Sequence, residues 1–268
     1  MIARPDWLAE VVAIARKAGD AIMQVYAGDI DVEQKSDDSP LTQADLAAHH
    51  LIEAGLQRFS PRLPVLSEES AAIPYEVRCQ WPQYWLVDPL DGTREFIKRN
   101  GEFTVNIALI QGNKAVLGVV YAPAMDLLYY ADTNGAYKKD GKHPARAIQA
   151  RPLNFQDIVI AGSRSHSDAR LQRFIGCLEK KLSGTKLISM GSSLKICMVA
   201  EGAADVYPRL GPTSEWDTAA AQCILENAGG RLTDTQGNTL LYNSKASLLN
   251  PEFFASGATA YDWQQYLE

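Results

Sequence analysis

The sequence predicts a layered fold, α+β in its first half and α/β in its second. Three observations carry this. Two amphipathic helical patterns open the chain. A run of closely spaced strands follows, up to about residue 150. Strands then alternate with helices toward the C-terminus. Residues 1–150 are expected to form the N-terminal helices and an antiparallel sheet. Residues 151–268 are expected to form an α/β part, the two packing as one compact unit.

Trp7, Val11, Ile14, Ala15, Ala18, Ile22 and Val25 recur at helical spacing and predict a helix over residues 6–26. The polar stretch DVEQKSDDSPLT cannot continue it. A second helix is expected from about Thr42, burying Ala44, Ala47, Ala48, Leu51, Gly55, Leu56 and Phe59. PVLSEE then reads as a short strand ending in acids, and YWLVDP as another. TVNIALI reads as an alternating strand, followed by VLGVVYAP and LLYYAD, with QGNK and PAMD as turns. Strands this close in sequence favour an antiparallel meander. Further on, DIVIAGS, KLISMG, VYPRL and GRLTD read as extended. DARLQRFIGCLEKKL, SLKICMVAEG and EWDTAAAQCILENAGG read as helices.

Composition narrows the function. A chain of 268 residues with 46% hydrophobic and 22% charged residues suits a globular protein. A net charge of −6 argues against a nucleic-acid polymer as partner, because that requires a basic surface. Cys79, Cys177, Cys197 and Cys223 form no CxxC pair and read as buried apolar residues in a reducing compartment. No secretory pattern opens the chain. The longest uncharged stretch, Ala115–Met125, falls short of the roughly 20 apolar residues a membrane helix needs. The expectation is a cytoplasmic protein without an integral membrane segment.

The chemistry centres on acids. A strand through Trp85–Val87 delivers Asp88 at its C-terminal end, Pro89 presets a turn, and Asp91 returns beside Asp88. Gly92 and Thr93 then open a short helix, whose free N–H groups suit a phosphate. Two carboxylates this close repel each other unless a cation neutralises them, and oxygen ligands suit Mg²⁺, Mn²⁺ or Ca²⁺. Each acid also has a plain structural explanation. Asp-Pro-x-Asp-Gly is common turn chemistry. Glu68 and Glu69 simply follow a strand, and Asp217 suits the first turn of a helix. Asp45, three residues after Thr42, completes a capping box variant.

Taken in order, KSDDSPLTQAD, LSEES, WLVDPLDGTREF and EWDTAA resemble the inositol monophosphatase family of metal-dependent phosphatases, over roughly Lys35 to Pro251. DGTREFIKRNGEFTVNIALI, GVVYAPAMD, SRSH, GSSLK and VYPRLGPTSEWDTAA resemble its bacterial 3′(2′),5′-bisphosphate nucleotidases of sulfate assimilation most. The resemblance implies an α-β-α-β-α sandwich. It implies that Glu68, Asp88 and the Leu90 carbonyl hold one Mg²⁺, and that Asp88, Asp91 and Asp217 hold a second, with a weaker third site near Glu68. Glu68 and the Thr93–Asp45 pair, a proton relay, would position and deprotonate the attacking water, which favours function over simple capping for Asp45. The Gly92 and Thr93 N–H groups would bind the phosphate under attack.

A bisphosphate needs a second anion pocket. The resemblance implies that Gly191, Ser192, Ser193, Lys195 and Arg209, with Asp217, cradle the rest of the nucleotide, aided by a helix starting at Ser192. His166 in SRSH is a further candidate. Read without the resemblance, Lys195 and Arg209 are ordinary surface cations. The implied substrate is adenosine 3′,5′-bisphosphate, with 3′-phosphoadenosine 5′-phosphosulfate as a second, and the implied inhibitor is lithium. The rival substrates are an inositol monophosphate and fructose 1,6-bisphosphate, on the same metal chemistry. A non-catalytic nucleotide-binding protein is disfavoured, since Glu68, Thr93 and Asp45 are all present. Relatives also suggest peripheral association with the cytoplasmic face of the inner membrane, but no basic amphipathic helix supports it. The sequence does not fix the oligomeric state.

Overall fold

The computed structural model describes residues 7–28, 30, 32–34, 40–163, 169–182 and 184–267. Helix α1 (Trp7–Tyr26) leads to the β1–β2 hairpin (Val32–Gln34, Pro40–Thr42) and α2 (Gln43–Leu56). After β3 (Val65–Ser67) come a 3₁₀ turn at Glu68–Ser70 and α3 (Tyr75–Arg78). Next are β4 (Gln83–Asp91), α4 (Thr93–Ile97), β5 (Thr104–Gln111) and β6 (Lys114–Ala122). Strands β7 (Leu127–Asp132), β8 (Gly135–Asp140) and β9 (Arg146–Ala147) complete the first sheet. The remainder contains β10 (Ile158–Ser163), α5 (Ala169–Lys181), β11 (Thr185–Met190), α6 (Leu194–Ala200), β12 (Val206–Arg209), α7 (Glu215–Asn227), β13 (Arg231–Asp234) and β14 (Phe253–Ser256).

The first sheet has seven strands in the order β3-β4-β5-β6-β7-β8-β9. It is the expected antiparallel meander, with one departure: β3 runs parallel to β4. The second sheet, β11-β10-β12-β14-β13, is parallel among β10, β11 and β12 and antiparallel through β14 and β13. Burial sets the layers. α1 and α2 cover one face of the large sheet, where Trp85, Val87, Val105, Ile107 and Leu109 meet Val11, Ile22, Ala48 and Ile52. α6 and α7 fill the space between the two sheets, against Leu86, Ala108 and Val120 on one side and Val159, Tyr207 and Phe253 on the other. α5 covers the outer face of the second sheet through Leu171, Phe174 and Leu178. The result is the expected α-β-α-β-α sandwich.

Several expectations change in detail. TVNIALI does not alternate: all seven residues are buried, because helices cover both faces of β5. On α2 the buried ridge is Ala44, Ala48, Ile52 and Leu56 at four-residue spacing, while Leu51 points outward. Pro89 does not end its strand, since β4 continues through a bulge to Asp91. α6 begins at Leu194 rather than Ser192. Cys197 and Cys223 are buried as expected, but Cys79 is exposed and Cys177 half-buried. The periodicity missed β1, β2, α3, β8, β9 and β14. One close approach depends on a missing side chain. α7 crosses β6 at Gly118, where a Cβ would lie 2.3 Å from the Ala220 carbonyl oxygen.

Candidate active site

The bulge in β4 is the local device that builds the site. Asp88 pairs with Asn106 and Asp91 with Thr104, so three steps on β4 oppose two on β5. Residues three apart on a regular strand point to opposite faces. The extra residue re-aims the chain, and the Asp88 and Asp91 carboxylates come together with Asp217. Asp217 arrives from the first turn of α7, held there by the Ser214 N–H at 2.8 Å. One oxygen from each of the three carboxylates lies within 4.8 Å of the other two. Glu68 and Leu90 line the same cleft of about 840 Å³, outside that tight cluster. The Leu90 N–H donates to Asp88 Oδ1 at 3.0 Å, which fixes the turn between the two aspartates.

Electrostatics give the cluster its character. Burial and then the charges of Glu68, Asp91 and Asp217 hold the Asp88 carboxyl well above its usual range. Burial and then Asp91 push Asp217 up to about 8, against the Ser214 N–H. Burial also raises Asp91, opposed by Lys195 and by hydrogen bonds from Ser193 and Asn106. Three clustered carboxylates, Asp88 buried and Asp91 and Asp217 half-buried, cannot all ionise alone and offer only oxygen, which fits a hard divalent cation.

Thr93 caps the other side. Its Oγ1 lies 3.3 Å from Asp45 Oδ1 and 3.3 Å from the Leu90 carbonyl oxygen. Asp45 is buried and does two things at once. Its Oδ2 accepts from the Thr42 N–H at 2.8 Å and the Thr42 hydroxyl at 2.6 Å, closing the capping box of α2, while Oδ1 meets Thr93. Gly92 has φ 93°, a left-handed conformation that glycine adopts without strain.

The far wall holds the cations. Lys195 is buried, not solvated. Its ammonium donates to the Ser192 carbonyl at 2.5 Å and lies 5.3 Å from the Tyr207 ring centroid. Burial pushes its pKa down to about 8, with Asp91 pulling the other way. Arg209 donates through one nitrogen to the Pro212 carbonyl at 2.7 Å, while its Nε is buried without a partner. The Ser192 hydroxyl lines the cleft and is likewise buried and unpartnered. Buried donors with open valences mark a polar ligand's place. Gly191 has a packing reason: a Cβ there would lie 2.5 Å from the Glu102 carbonyl oxygen. Ser193 turns inward, its hydroxyl 2.9 Å from Asn106 Oδ1 and its N–H donating to Asp91 Oδ2 at 2.6 Å.

The structure therefore gathers Glu68, Asp88, Leu90, Asp91, Gly92, Thr93, Asp217, Lys195 and Arg209 around one cleft, with Asp45 directly behind Thr93. His166 and the KSDDS segment lie outside the described residues. Sequence reasoning passed over Thr104, Asn106 and Tyr207. The available signal was two polar residues within an otherwise apolar strand, TVNIALI. Among the described residues no helix is long and apolar enough to cross a membrane.

The chain is similar to known proteins over nearly its whole length. The model of the inositol monophosphatase family matches residues 5–266. The 3′(2′),5′-bisphosphate nucleotidase CysQ of Salmonella typhimurium is 52% identical over 248 residues, 92% of this chain and 98% of that protein. CysQ of Haemophilus influenzae is 37% identical, covering 97% and 96%. The crystal structure of CysQ from Bacteroides thetaiotaomicron, described as a bacterial member of the inositol monophosphatase family, superposes with a TM-score of 0.84 at 40% identity, over 96% of this chain and 99% of that one. The extragenic suppressor protein SuhB from Bartonella henselae gives 0.76 at 27% identity, over 93% of each. The chain belongs to the inositol monophosphatase family.

Proposed function

We propose that this protein is a Mg²⁺-dependent 3′(2′),5′-bisphosphate nucleotidase that converts adenosine 3′,5′-bisphosphate to AMP and phosphate. One observation carries the reading. A single cleft is lined by the Asp88–Asp91–Asp217 cluster and by Lys195 and Arg209, so a cation-loaded cluster and the two basic side chains would offer two places for negative charge, as a bisphosphate requires. Relatives that are 52% and 51% identical bear the name of that activity.

Glu68, Asp88 and the Leu90 carbonyl would hold one Mg²⁺, and Asp88, Asp91 and Asp217 a second, with a third held more weakly near Glu68. Bound there, the metal supplies a Lewis acid for the phosphoryl oxygens and lowers the pKa of water. The protein's own groups do the rest. Asp45, locked by Thr42, takes the Thr93 hydroxyl proton as Thr93 accepts one from the attacking water. The water oxygen bonds to phosphorus, the ester bond breaks in line, and the ribose oxygen leaves with a proton drawn from solvent. The Gly92 and Thr93 N–H groups receive the phosphate under attack. Ser192, Lys195 and Arg209 receive the other. The same pocket suits 3′-phosphoadenosine 5′-phosphosulfate, and the biological role is clearance of a by-product of sulfate transfer or reduction.

The test is phosphate release in Mg²⁺ from adenosine 3′,5′-bisphosphate, inositol 1-phosphate and fructose 1,6-bisphosphate, side by side. The nucleotide should lead by about a hundredfold in kcat/KM, about 2.7 kcal/mol. A lead for either of the other two compounds would leave the metal cluster standing and overturn the account of Lys195 and Arg209.

A further inference from the structure

β5 contains the signal that the sequence reading did not use. Thr104 and Asn106 are buried polar residues in a strand whose other members are almost all aliphatic. Both project from β5 toward the acidic cluster, and both belong to one closed network. Asn106 Nδ2 reaches Asp91 Oδ2 at 3.4 Å, and Asn106 Oδ1 accepts the Ser193 hydroxyl at 2.9 Å. The Thr104 hydroxyl lies 3.4 Å from Asp91 Oδ2 and 3.0 Å from Ser193 Oγ. The Ser193 N–H closes the ring on Asp91 Oδ2 at 2.6 Å. The Asn106 amide donates to the carboxylate through its nitrogen and accepts from the hydroxyl through its oxygen at once.

The network joins two places 102 residues apart in sequence. One end is a carboxylate of the acidic cluster. The other is the loop that carries Ser192 and leads into Lys195. That loop is conformationally costly. Ser192 has φ 47°, left-handed and unfavourable for a residue with a Cβ. Its carbonyl accepts the Lys195 ammonium, and its hydroxyl waits unpartnered in the cleft. Holding Asp91 still therefore holds the loop in its strained, receptive form. The Ser193 N–H and the Asn106 amide both converge on Oδ2, which leaves the lone pairs of the other oxygen for a cation.

Building on the nucleotidase reading, we propose that Asn106, with Thr104 and Ser193, is a positioning residue that makes metal binding at Asp91 and phosphate binding at the Ser192–Lys195 loop mutually reinforcing. A cation fixes the Asp91 carboxylate, the carboxylate fixes the Ser193 N–H, and the loop presents Ser192 and Lys195. By linkage, a ligand on the loop must tighten the metal by the same factor.

The experiment is calorimetric titration of the folded protein with AMP, whose single phosphate stands in for the one that is not cleaved. It is run in chelator and in saturating Mg²⁺, on the wild type, Asn106→Leu and Thr104→Val. Thr104→Val is the milder change, keeping the shape of the side chain and removing its hydroxyl, and melting temperatures confirm that each variant folds. Wild type should bind AMP at least about fivefold tighter with Mg²⁺, the lower end of usual coupling. Both variants should lower that ratio at least about twofold, the direct Ser193 N–H link to Asp91 remaining, while changing metal-free affinity less than about threefold. Mg²⁺ titrations with and without AMP should return the same ratio in wild type. Variants that keep the wild-type ratio, or a wild type without one, overturn the proposal and leave the nucleotidase reading intact. No AMP binding in either condition overturns both.

Discussion

Asp91 and Asp45 each divide their two oxygens. One Asp45 oxygen closes the cap of α2 and the other meets Thr93. Asp91 Oδ2 accepts from the Ser193 N–H and the Asn106 amide. Because Asp91→Asn keeps the shape and removes the charge, it should leave a folded chain whose phosphate release falls by orders of magnitude. Circular dichroism beside a turnover assay checks both halves, and near-normal turnover would remove Asp91 from the metal set. A second expectation concerns the metal-free protein. Asp217 has a folded pKa of about 8, above its ordinary carboxylate value. A raised pKa means that folding favours the protonated form, so this contribution is complete below about pH 4 and is lost as pH rises through about 8. In chelator the melting temperature should therefore fall across that window. Mg²⁺, which binds the ionised form, should flatten the slope, and Asp217→Asn should reduce it without metal, the raised Asp88 and Asp91 carboxyls supplying the remainder.

At the scale of elements, α2 and α7 act as carriers. α2 buries Ala44, Ala48, Ile52 and Leu56 against the large sheet and so sets Asp45 behind Thr93. α7 approaches β6 over Gly118, and its first turn is tied down by the following loop. The Asn250 amide donates to the Ser214 carbonyl at 2.7 Å, and the Glu215 N–H donates to Leu248. The ridge on α2 separates two neighbours sharply. Ile52→Ala should cost about 2–5 kcal/mol in urea denaturation, as core truncations do, while Leu51→Ser should stay within about 0.5 kcal/mol, as exposed changes do. Equal costs would mean that α2 is rotated from the position described.

At the scale of the whole molecule, the acidic cluster joins distant parts of the chain. Asp88 and Asp91 come from β4 in the large sheet, and Asp217 comes from α7 in the central layer. A cation there links the first half of the sequence to the second. Mg²⁺ at a hundred times its dissociation constant should raise unfolding free energy by about 2.7 kcal/mol. Asp217→Asn should forfeit most of that gain, read from melting curves with and without metal. A gain that survives in Asp217→Asn would place the dominant ion elsewhere.

The order of elements was legible in the sequence because helical and strand periods are local. The acids were legible because Asp-Pro-x-Asp-Gly-Thr, LSEES and EWDTAA stand out as residue types, and the family resemblance gave them roles. Tertiary structure alone decided how the cluster closes. The β4 bulge turns Asp88 and Asp91 together, and nothing in residues 88–91 states how many partners oppose them on β5. The environment of Lys195 was equally hidden: solvated or buried depends on what covers its helix, and here Tyr207 and the Ser192 loop do. Asn106 drew no reading of its own within the alternating strand TVNIALI, and only the fold brought Asp91 and Ser193 to it. Local pattern is set by neighbours in sequence, but the charge, burial and partners of a side chain are set by neighbours in space.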